Sequence, residues 1–371
     1  MTGLTESMLL PDYSGACVTN IVPTVVAGAP TPQWFPVEVA DAEQVVLLVI
    51  DGLGWNQLQE RLELVPTLRS LASAPITTVA PTTTSTALTS ITTGAAPGEH
   101  GIVGYRIAYP EGMLNVLRWT TKAGDARQHI LPADAQQVDP FCGTTPRTIT
   151  QQVFADSGFT LAHLGGEQFR GYWATSALAV EVGEALEAGD RFVYAYYDGL
   201  DKIGHVHGIG AHYDAELRFV DQLVDQVLAA LTPGAVLLVT ADHGQVDCGK
   251  HALDLDTSVA SLLRQQSGEP RFRWLHAASG RADALLDATR DAHAHHGWVA
   301  SLEQVLDEQW FGPVVTPQHR ALLGDVALLA RDPISFHDDQ DPSSRHLIAR
   351  HGSLTADEVM VPLLAGSAST P

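Results

Sequence analysis

Three apolar runs along the chain end in the same way, with an acidic residue beside a glycine. They are VVLLVI at 45–50, FVYAYY at 192–197 and AVLLVT at 235–240, followed respectively by Asp51-Gly52, by Asp198-Gly199 with Asp201, and by Asp242-His243-Gly244. Unbroken apolar runs rich in β-branched and aromatic residues predict strands covered on both faces, as in a parallel sheet between helices. The carboxyl ends of such strands share one edge, where ligands collect. We therefore expect the acidic clusters to lie close together.

Apolar residues at helical spacing fill much of the chain between these runs, at 55–73, 147–157, 176–188 and 212–231. The alternation of strand and helix predicts an α/β fold with a doubly wound, mostly parallel sheet and helices on both faces. From 255 to 344 the pattern changes, because short strand-like segments such as RFRWLHAA surround one amphipathic stretch, GRADALLDATRDAHAHHG. We predict a catalytic core formed by 1–254 and 345–371. The α+β insertion at 255–344 is a candidate cap over the site.

The charge balance is strongly acidic. Lys and Arg number 21 against 43 Asp and Glu, which gives a formal net charge of −22. A chain this acidic repels a polynucleotide backbone, so a nucleic-acid polymer is not the expected partner. The same charge opposes small anionic substrates unless cations in the site reverse the local field. Composition therefore favours bound metal ions.

Neither the cysteines nor the apolar segments indicate export or a membrane. Cys17, Cys142 and Cys248 are far apart and odd in number, so they predict neither a disulfide framework nor a thiolate zinc site. The first twenty residues lack the pattern of a signal peptide, and no run of about 18 uncharged apolar residues occurs. We expect a cytoplasmic protein that does not enter a membrane. Its oligomeric state stays open.

Oxygen and imidazole side chains near the strand ends are candidate metal ligands. Asp201 and His205 are four residues apart, which puts both on one face of a helix, and this ligand pair suits zinc. Asp242 and His243 are adjacent on a strand-end turn, where both can reach one ion. Asp51 follows the first strand. Each group also has a purely structural interpretation, as a helix cap or a turn.

A hydroxyl-rich segment, APTTTSTALTSITTG, supplies the candidate nucleophile. Hydroxyl residues at 82–86 precede the apolar positions Ala87, Leu88 and Ile91 and then Gly94, which predicts a helix with a hydroxyl-rich start and a glycine stop. Free backbone amides at such a helix start attract phosphate, although the same residues also serve as ordinary helix caps. A threonine hydroxyl becomes nucleophilic when a bound zinc ion lowers its pKa.

As an ordered set, the motifs resemble the alkaline phosphatase superfamily, specifically its nucleotide pyrophosphatase/phosphodiesterase branch. The motifs are DGLGW, PTTTSTALTSITTG, EHGIVGYR, DGLDKIGH, ADHG and HGSLTADEVMVPLL, and they are distributed over residues 45–365. The resemblance implies two Zn²⁺ ions, for which Mn²⁺ or Mg²⁺ are possible substitutes. It also implies a small phosphorylated substrate, such as a nucleotide or another phosphodiester.

The resemblance also implies a role for each matching residue. Thr84 matches the nucleophile, ten positions before Gly94, with Thr82, Thr83 and Ser85 as alternatives. Asp201, His205 and His351 resemble the ligands of one zinc. The ligands of the other are Asp51, Asp242 and His243, with Thr84 bridging the metals.

One position departs from the branch pattern. The branch often has an asparagine shortly after the HGI element that helps to hold a phosphoryl oxygen, and here that position is Tyr105, followed by Arg106. Both are candidate substrate-binding residues. Tyr105 can donate a hydrogen bond, stack on a base or simply pack.

The resemblance implies a hydrolase of phosphodiester or nucleotide pyrophosphate bonds that acts through a phosphothreonine intermediate. The alternatives within the superfamily are a phosphomonoesterase or a phosphonate hydrolase. From a different functional class, the alternative is a catalytically silent protein that binds metal or a partner.

Overall fold

The structure is a computed structural model and describes residues 8–28, 31–165 and 168–367. Its strands, in chain order, are β1 (Gln44–Ile50), β2 (Ala72–Thr77), β3 (Arg106–Tyr109), β4 (Gly112–Asn115), β5 (Thr120–Thr121), β6 (Gly124–Asp125), β7 (Arg147–Gln151), β8 (Phe169–Tyr172), β9 (Phe192–Tyr197), β10 (Ala235–Thr240), β11 (Val246–Asp247), β12 (Ala252–Leu253), β13 (Leu263–Glu269), β14 (Phe272–Ala277), β15 (Gly297–Ser301), β16 (Val326–Ala330), β17 (Ser335–Phe336), β18 (Ala349–Arg350) and β19 (Met360–Ser367).

The α-helices are α1 (Ile21–Val26), α2 (Trp55–Gln59), α3 (Pro66–Ser70), α4 (Thr84–Thr93), α5 (Pro97–His100), α6 (Pro132–Ala135), α7 (Gly158–Leu164), α8 (Leu178–Glu187), α9 (Gly199–His207), α10 (Ala211–Ala229), α11 (Thr257–Ala260), α12 (Ala282–His293), α13 (Leu302–Asp307), α14 (Pro317–Arg320) and α15 (Ala356–Val359). Short 3-10 helices span Val18–Asn20, Val37–Val39, Leu62–Leu64, Pro140–Gly143, Gln152–Phe154, Thr175–Ala177 and Pro342–His346. Among the described residues, no helix has both the length and the apolar character needed to cross a bilayer.

A seven-stranded sheet forms the centre of the molecule, in the order β2-β19-β10-β1-β9-β7-β8. β1 lies between β10 and β9 and is parallel to both, and β7 continues the parallel arrangement to β8. β19 runs antiparallel to its two neighbours, β10 and β2. The prediction of an α/β fold with a mostly parallel sheet flanked by helices is confirmed.

The register of the three central strands explains why the acidic clusters meet. Ile50 pairs with Tyr197 and Val49 pairs with Thr240, so the residues that follow these strands emerge at the same edge. The strands themselves are almost entirely buried, as their unbroken apolar sequences require. The polar groups that the chain needs for chemistry are therefore concentrated where the strands end.

The segment from 263 to 330 forms an antiparallel sheet of its own, in the order β13-β14-β16-β15, with α12 packed against it. Phe272, Trp274 and Trp298 belong to the same buried cluster as the main core, whereas Leu275 and Leu285 belong to a separate, smaller one. This sheet lies inside the predicted insertion at 255–344, whose boundaries stay a prediction. It is therefore packed onto the core rather than separated from it.

Three parts of the fold differ from the sequence-based expectations. The helix predicted at 147–157 is wrong, because 147–151 forms strand β7, which pairs with β8 and β9. The β-branched sequence Thr-Ile-Thr suits a strand, and pairing on both sides decides the outcome. The antiparallel hairpins of β3 to β6 were not predicted. The stretch 55–73 is broken into short helices and the start of β2, whereas α8 and α10 confirm the helices predicted at 176–188 and 212–231.

Candidate metal centre and active site

His243 lies at the middle of the polar cluster beyond the ends of β1 and β10. Its Nε2 is 3.5 Å from Asp51 Oδ1 and 3.3 Å from Asp242 Oδ2. Thr84 Oγ1 lies 3.1 Å from the same nitrogen. All four side chains are buried. The structure thus brings together the residues predicted for one metal and the predicted nucleophile.

Asp201, at the start of α9, is the centre of the neighbouring group. Its Oδ2 lies 3.2 Å from His205 Nε2 and its Oδ1 lies 3.9 Å from His351 Nε2. Ligand atoms of these three residues are all within 4.8 Å of one another, and so are those of Asp51, Asp201 and His243. Asp201 is therefore close to the residues predicted for the other metal as well. The imidazole rings of His243 and His351 stack, with centroids 3.6 Å apart, so the two groups adjoin.

Each of the three histidines uses Nδ1 to bond a main-chain carbonyl. A carbonyl oxygen can only accept, so Nδ1 carries a proton and Nε2 is the ring nitrogen that faces the cluster, where its lone pair can bind a metal. This outer hydrogen bond is the arrangement that fixes metal-ligating histidines. The pairs are His205 with Ala349 O at 2.7 Å, His351 with Thr82 O at 2.7 Å and His243 with Gly244 O at 3.1 Å.

The electrostatics of the cluster favour bound cations. Burial, and then the neighbouring Asp242 and Asp201, raise the pKa of Asp51 well above its usual range, and burial raises the pKa of Asp242 to about 7. Burial lowers the pKa of His243 to about 4. Carboxylates and imidazole lone pairs that face one another in a dry site repel unless a cation lies between them.

Unsatisfied oxygens in the cluster support the same conclusion. Among the described residues, Asp51 Oδ1 and Asp242 Oδ2 are buried without a hydrogen-bond partner. Buried polar atoms are rarely left in this state, and a metal ion is one of the few ways to satisfy them. The donor set of carboxylates and neutral imidazoles fits divalent cations.

Two side chains that support the ligands were missed by the sequence analysis. Tyr196 donates from its hydroxyl to Asp51 Oδ2, and Gln245 donates from Nε2 to Asp201 Oδ1. Gln245 directly follows the ADHG motif, and this position could have indicated that it supports a metal ligand. Tyr196 lies within an apolar strand, where a phenol needs a partner for its hydroxyl. Its partner becomes known only once the sheet order places β9 beside β1.

Thr84 is the first residue of α4, and its neighbours have other partners. The Thr82 hydroxyl donates to Ser353 O at 2.9 Å and the Ser85 hydroxyl donates to Gly104 O at 3.1 Å. Thr83 lies at the N-cap. The Thr84 hydroxyl is thus the one among the four candidates that contacts the ligand cluster, which favours it as the nucleophile.

The start of α4 also offers backbone donors. Its first intrahelical hydrogen bond runs from Ala87 N–H to Thr83 O, so the N–H groups before Ala87 are not used within the helix. These N–H groups and the positive end of the helix dipole favour an anion beside Thr84.

A cavity of about 440 Å³ opens from this cluster. Thr84, Tyr105 and His351 line it together with apolar side chains such as Phe154 and Phe159. Arg106 is not among the lining residues, and its buried guanidinium instead pairs with Asp338. This position lends no support to a contact between Arg106 and substrate, which stays a prediction.

Comparisons with known proteins identify structures with a similar fold. The match to solved structures includes murine ectonucleotide pyrophosphatase/phosphodiesterase 5, with 18% identity, a TM-score of 0.65 and coverage of 86% of this chain and 87% of that one. An inactive variant of the same murine protein, in complex with AMP, gives a TM-score of 0.66 at 18% identity, with 88% of each chain covered.

Phosphonoacetate hydrolase from Sinorhizobium meliloti 1021, in complex with phosphonoacetate, matches with 14% identity, a TM-score of 0.65 and coverage of 89% and 92%. At these identities the structural matches show the fold alone.

The comparison with curated protein sequences gave no significant match. The family profile described as type I phosphodiesterase / nucleotide pyrophosphatase matches residues 45–354, which is most of the chain. This protein is therefore a member of the type I phosphodiesterase / nucleotide pyrophosphatase family.

Proposed function

We propose that this protein hydrolyses phosphodiester or nucleotide pyrophosphate bonds with two bound zinc ions and a phosphothreonine intermediate on Thr84. One observation carries the proposal: Thr84 Oγ1 lies 3.1 Å from His243 Nε2, inside a cluster of buried carboxylates and neutral imidazoles. A hydroxyl beside such a donor set, at the start of a helix, is positioned to attack phosphorus.

The ligands divide into two adjoining groups, and ligand atoms of Asp201 also lie within 4.8 Å of those of Asp51 and His243. Asp201, His205 and His351 would hold one ion, and Asp51, Asp242 and His243 would hold the other. The bound ions would lower the pKa of the Thr84 hydroxyl and neutralise charge on the phosphoryl group. Tyr196 and Gln245 fix the orientation of two of the carboxylates.

Thr84 then acts in two steps. Its Oγ1 forms a bond to phosphorus while the bond to the leaving alcohol or phosphate breaks on the opposite side. Water next attacks the phosphothreonine, releases the phosphorylated product and returns the hydroxyl of Thr84. Through both steps the free N–H groups at the start of α4 hold non-bridging oxygens as their negative charge grows.

The proposal is tested first with the variant Thr84→Ala and the neighbouring variant Thr83→Ala as a matched control. Both residues line the cavity, but the Thr84 hydroxyl alone contacts His243 in this pair. With bis(p-nitrophenyl) phosphate as substrate, Thr84→Ala should lose at least about 10³-fold in kcat, whereas Thr83→Ala should keep most of the activity. Equal turnover in Thr84→Ala and the wild type would remove the covalent mechanism.

Metal content and substrate range test the remaining parts. Elemental analysis of the purified protein should find about two zinc ions per chain, and dialysis against a chelator should lower both the metal content and the melting temperature. A diester, a nucleotide pyrophosphate, a monoester and phosphonoacetate are then compared with zinc, manganese and magnesium. Faster turnover of phosphonoacetate would indicate a phosphonate hydrolase. The absence of metal and of all turnover would favour the silent binding protein.

A further inference from the structure

The cavity beside Thr84 continues along α4 into the space between α4, α7 and the main sheet. Thr84 and Leu88 are one turn apart on α4, so both line the cavity from the same face of this helix. Phe159 and His163 have the same spacing on α7 and line it from that side, and Tyr194 of β9 lines it from the sheet. We call the part of the cavity bounded by Leu88, Phe159, His163 and Tyr194 the inner chamber.

The inner chamber is apolar and uncharged. Leu88, Phe159 and the ring of Tyr194 give it mostly carbon surface. Burial lowers the pKa of His163 to about 4, so the imidazole is neutral near neutral pH. A phosphate group placed against these walls would lose its hydration without meeting a cation, which is unfavourable. The chamber therefore fits an uncharged group of the substrate.

His163 presents a hydrogen-bond acceptor to this chamber. Its Nδ1 lies 2.7 Å from Phe159 O, and because a carbonyl oxygen can only accept, Nδ1 carries the proton of the neutral ring. Nε2 is then the acceptor and points away from the backbone of α7. The ring stacks on Phe159, with centroids 4.0 Å apart and 14° between the planes, which holds it in this orientation. Among the described residues, Nε2 has no hydrogen-bond partner.

Two hydroxyls on the sheet side of the cavity also lack partners. Thr150 and Tyr194 lie on the neighbouring strands β7 and β9, and both line the cavity. Within the part of the chain that the structure describes, Thr150 Oγ1 and Tyr194 Oη are buried without a hydrogen-bond partner. Buried polar atoms are rarely left in this state. A purely apolar ligand would leave these atoms unsatisfied, so the cavity favours a group with polar atoms on its edge.

We propose that the inner chamber binds an uncharged aromatic group of the substrate, and that His163 is a specificity-determining residue whose Nε2 accepts a hydrogen bond from a hydroxyl or N–H on that group. Phe159, His163 and Tyr194 provide flat ring surfaces, which pack well against another ring. The inference rests on the proposed function, because the aromatic group is an ester substituent of the phosphate that Thr84 attacks. It narrows the substrate to a phosphodiester with an aryl or heteroaryl group that carries a hydrogen-bond donor.

The test compares p-nitrophenyl phosphodiesters that differ in the second ester group, with every rate divided by the rate of the uncatalysed reaction. For the wild type, kcat/KM should be about 10- to 100-fold higher with a phenyl group than with a methyl group, because the chamber buries the ring. A hydroxyphenyl ester, with its hydroxyl at the meta or para position, should exceed the matching methoxyphenyl ester by about 3- to 10-fold, the range for one buried hydrogen bond.

Variants of His163 separate the hydrogen bond from the shape of the chamber. His163→Phe keeps a ring against Phe159 and removes the acceptor, so it should retain the preference for phenyl over methyl and lose the preference for hydroxyl over methoxy. His163→Gln supplies an amide oxygen and should restore part of that second preference. Should His163→Phe fail to fold, His163→Leu takes its place, because it also removes the acceptor.

His276→Phe is the matched control. His276 is also buried with a pKa lowered by burial to about 4, but it lies in β14 and does not line the cavity. Both preferences should be unchanged in this variant. A loss of the hydroxyl preference in His276→Phe as well as in His163→Phe would mean that the effect is not specific to the chamber, and it would overturn the role of His163.

The remaining outcomes distinguish this inference from the proposed function. Equal kcat/KM values for the phenyl and methyl esters in the wild type would overturn the chamber, and a hydroxyl preference that survives in His163→Phe would overturn the role of His163. If the wild type hydrolyses both esters equally and Thr84→Ala hydrolyses neither, the inference is refuted and the proposed function stands. If the wild type hydrolyses no diester, both are refuted.

Discussion

The ion pair between Arg271 and Glu358 gives a prediction about how the antiparallel sheet is fastened to the core. Arg271 lies just before β14, and Glu358 lies in α15, next to the last strand of the main sheet. Two hydrogen bonds of 2.8 Å join them, from Arg271 Nε to Oε1 and from Nη2 to Oε2. Both side chains are fully buried, with 0% exposure. We therefore expect the pair to matter far more than an ion pair at the surface.

The variant Glu358→Gln keeps the size of the side chain and removes its charge. It leaves the Arg271 guanidinium buried without a counter-ion, a situation that costs about 3–5 kcal/mol when one partner of a buried pair is removed. The control is Glu303→Gln, which breaks the pair with Arg320 within the same insertion. That pair is 68% and 44% exposed, so its loss should cost no more than about 1 kcal/mol.

Urea denaturation, followed by circular dichroism, measures the free energy of unfolding of both variants. Glu358 also accepts hydrogen bonds from Ser353 N–H and from the Thr355 hydroxyl. Since Ser353 is two residues beyond His351, Glu358→Gln should also weaken zinc binding. If Glu358→Gln and Glu303→Gln lost the same small amount of stability, the view that this buried pair fastens the insertion would be wrong.

Two further predictions concern pH and backbone geometry. Burial lowers the pKa of His100 from 6.5 to about 3. Between these two values the imidazole is protonated in the unfolded chain but neutral in the folded one, so the free energy of unfolding falls as the pH drops below 6.5. His100→Gln should therefore reduce the stability lost between pH 7.5 and pH 5 by roughly 2 kcal/mol in urea titrations, and an identical pH slope would contradict this. Gly352 has a φ of +127°, and an added Cβ would lie 2.7 Å from Glu269 Cγ. Gly352→Ala should lower the melting temperature and the zinc affinity, whereas Gly124→Ala, at φ +106° with open space around it, should leave zinc affinity intact.

The sequence was most informative where a local pattern has a direct physical cause. The three apolar runs predicted the central strands, because a strand buried on both faces must be apolar throughout. The position of Asp51, Asp201 and Asp242 at one edge followed from the rule that parallel strands end together. The start of α4 at the hydroxyl-rich segment and its end before Gly94, which has a φ of 70°, were likewise predicted from neighbouring residues alone.

The features that the sequence could not provide depend on residues far apart in the chain. Strand β7 was predicted as a helix because its pairing with β8 and β9 is invisible in a local window. The choice among the four hydroxyls at 82–85 required the partners of each, such as Ser353 and Gly104. The pairing of Arg106, a candidate substrate-binding residue, with Asp338 over two hundred positions away could not be predicted from a local window either.

The placement of β19 affects the order in which the molecule can be assembled. This strand, Met360–Ser367, lies between β2 at Ala72–Thr77 and β10 at Ala235–Thr240. While the ribosome is still translating the region before it, β2 and β10 have no hydrogen-bonded neighbour between them, and the nearby His351 has not yet been synthesised. A nascent chain therefore exposes two unpaired strand edges from the synthesis of β10 until that of β19, which is a hazard for aggregation. Protection by a chaperone during translation would matter more for this topology than for a sheet in which each new strand pairs with the strand synthesised just before it.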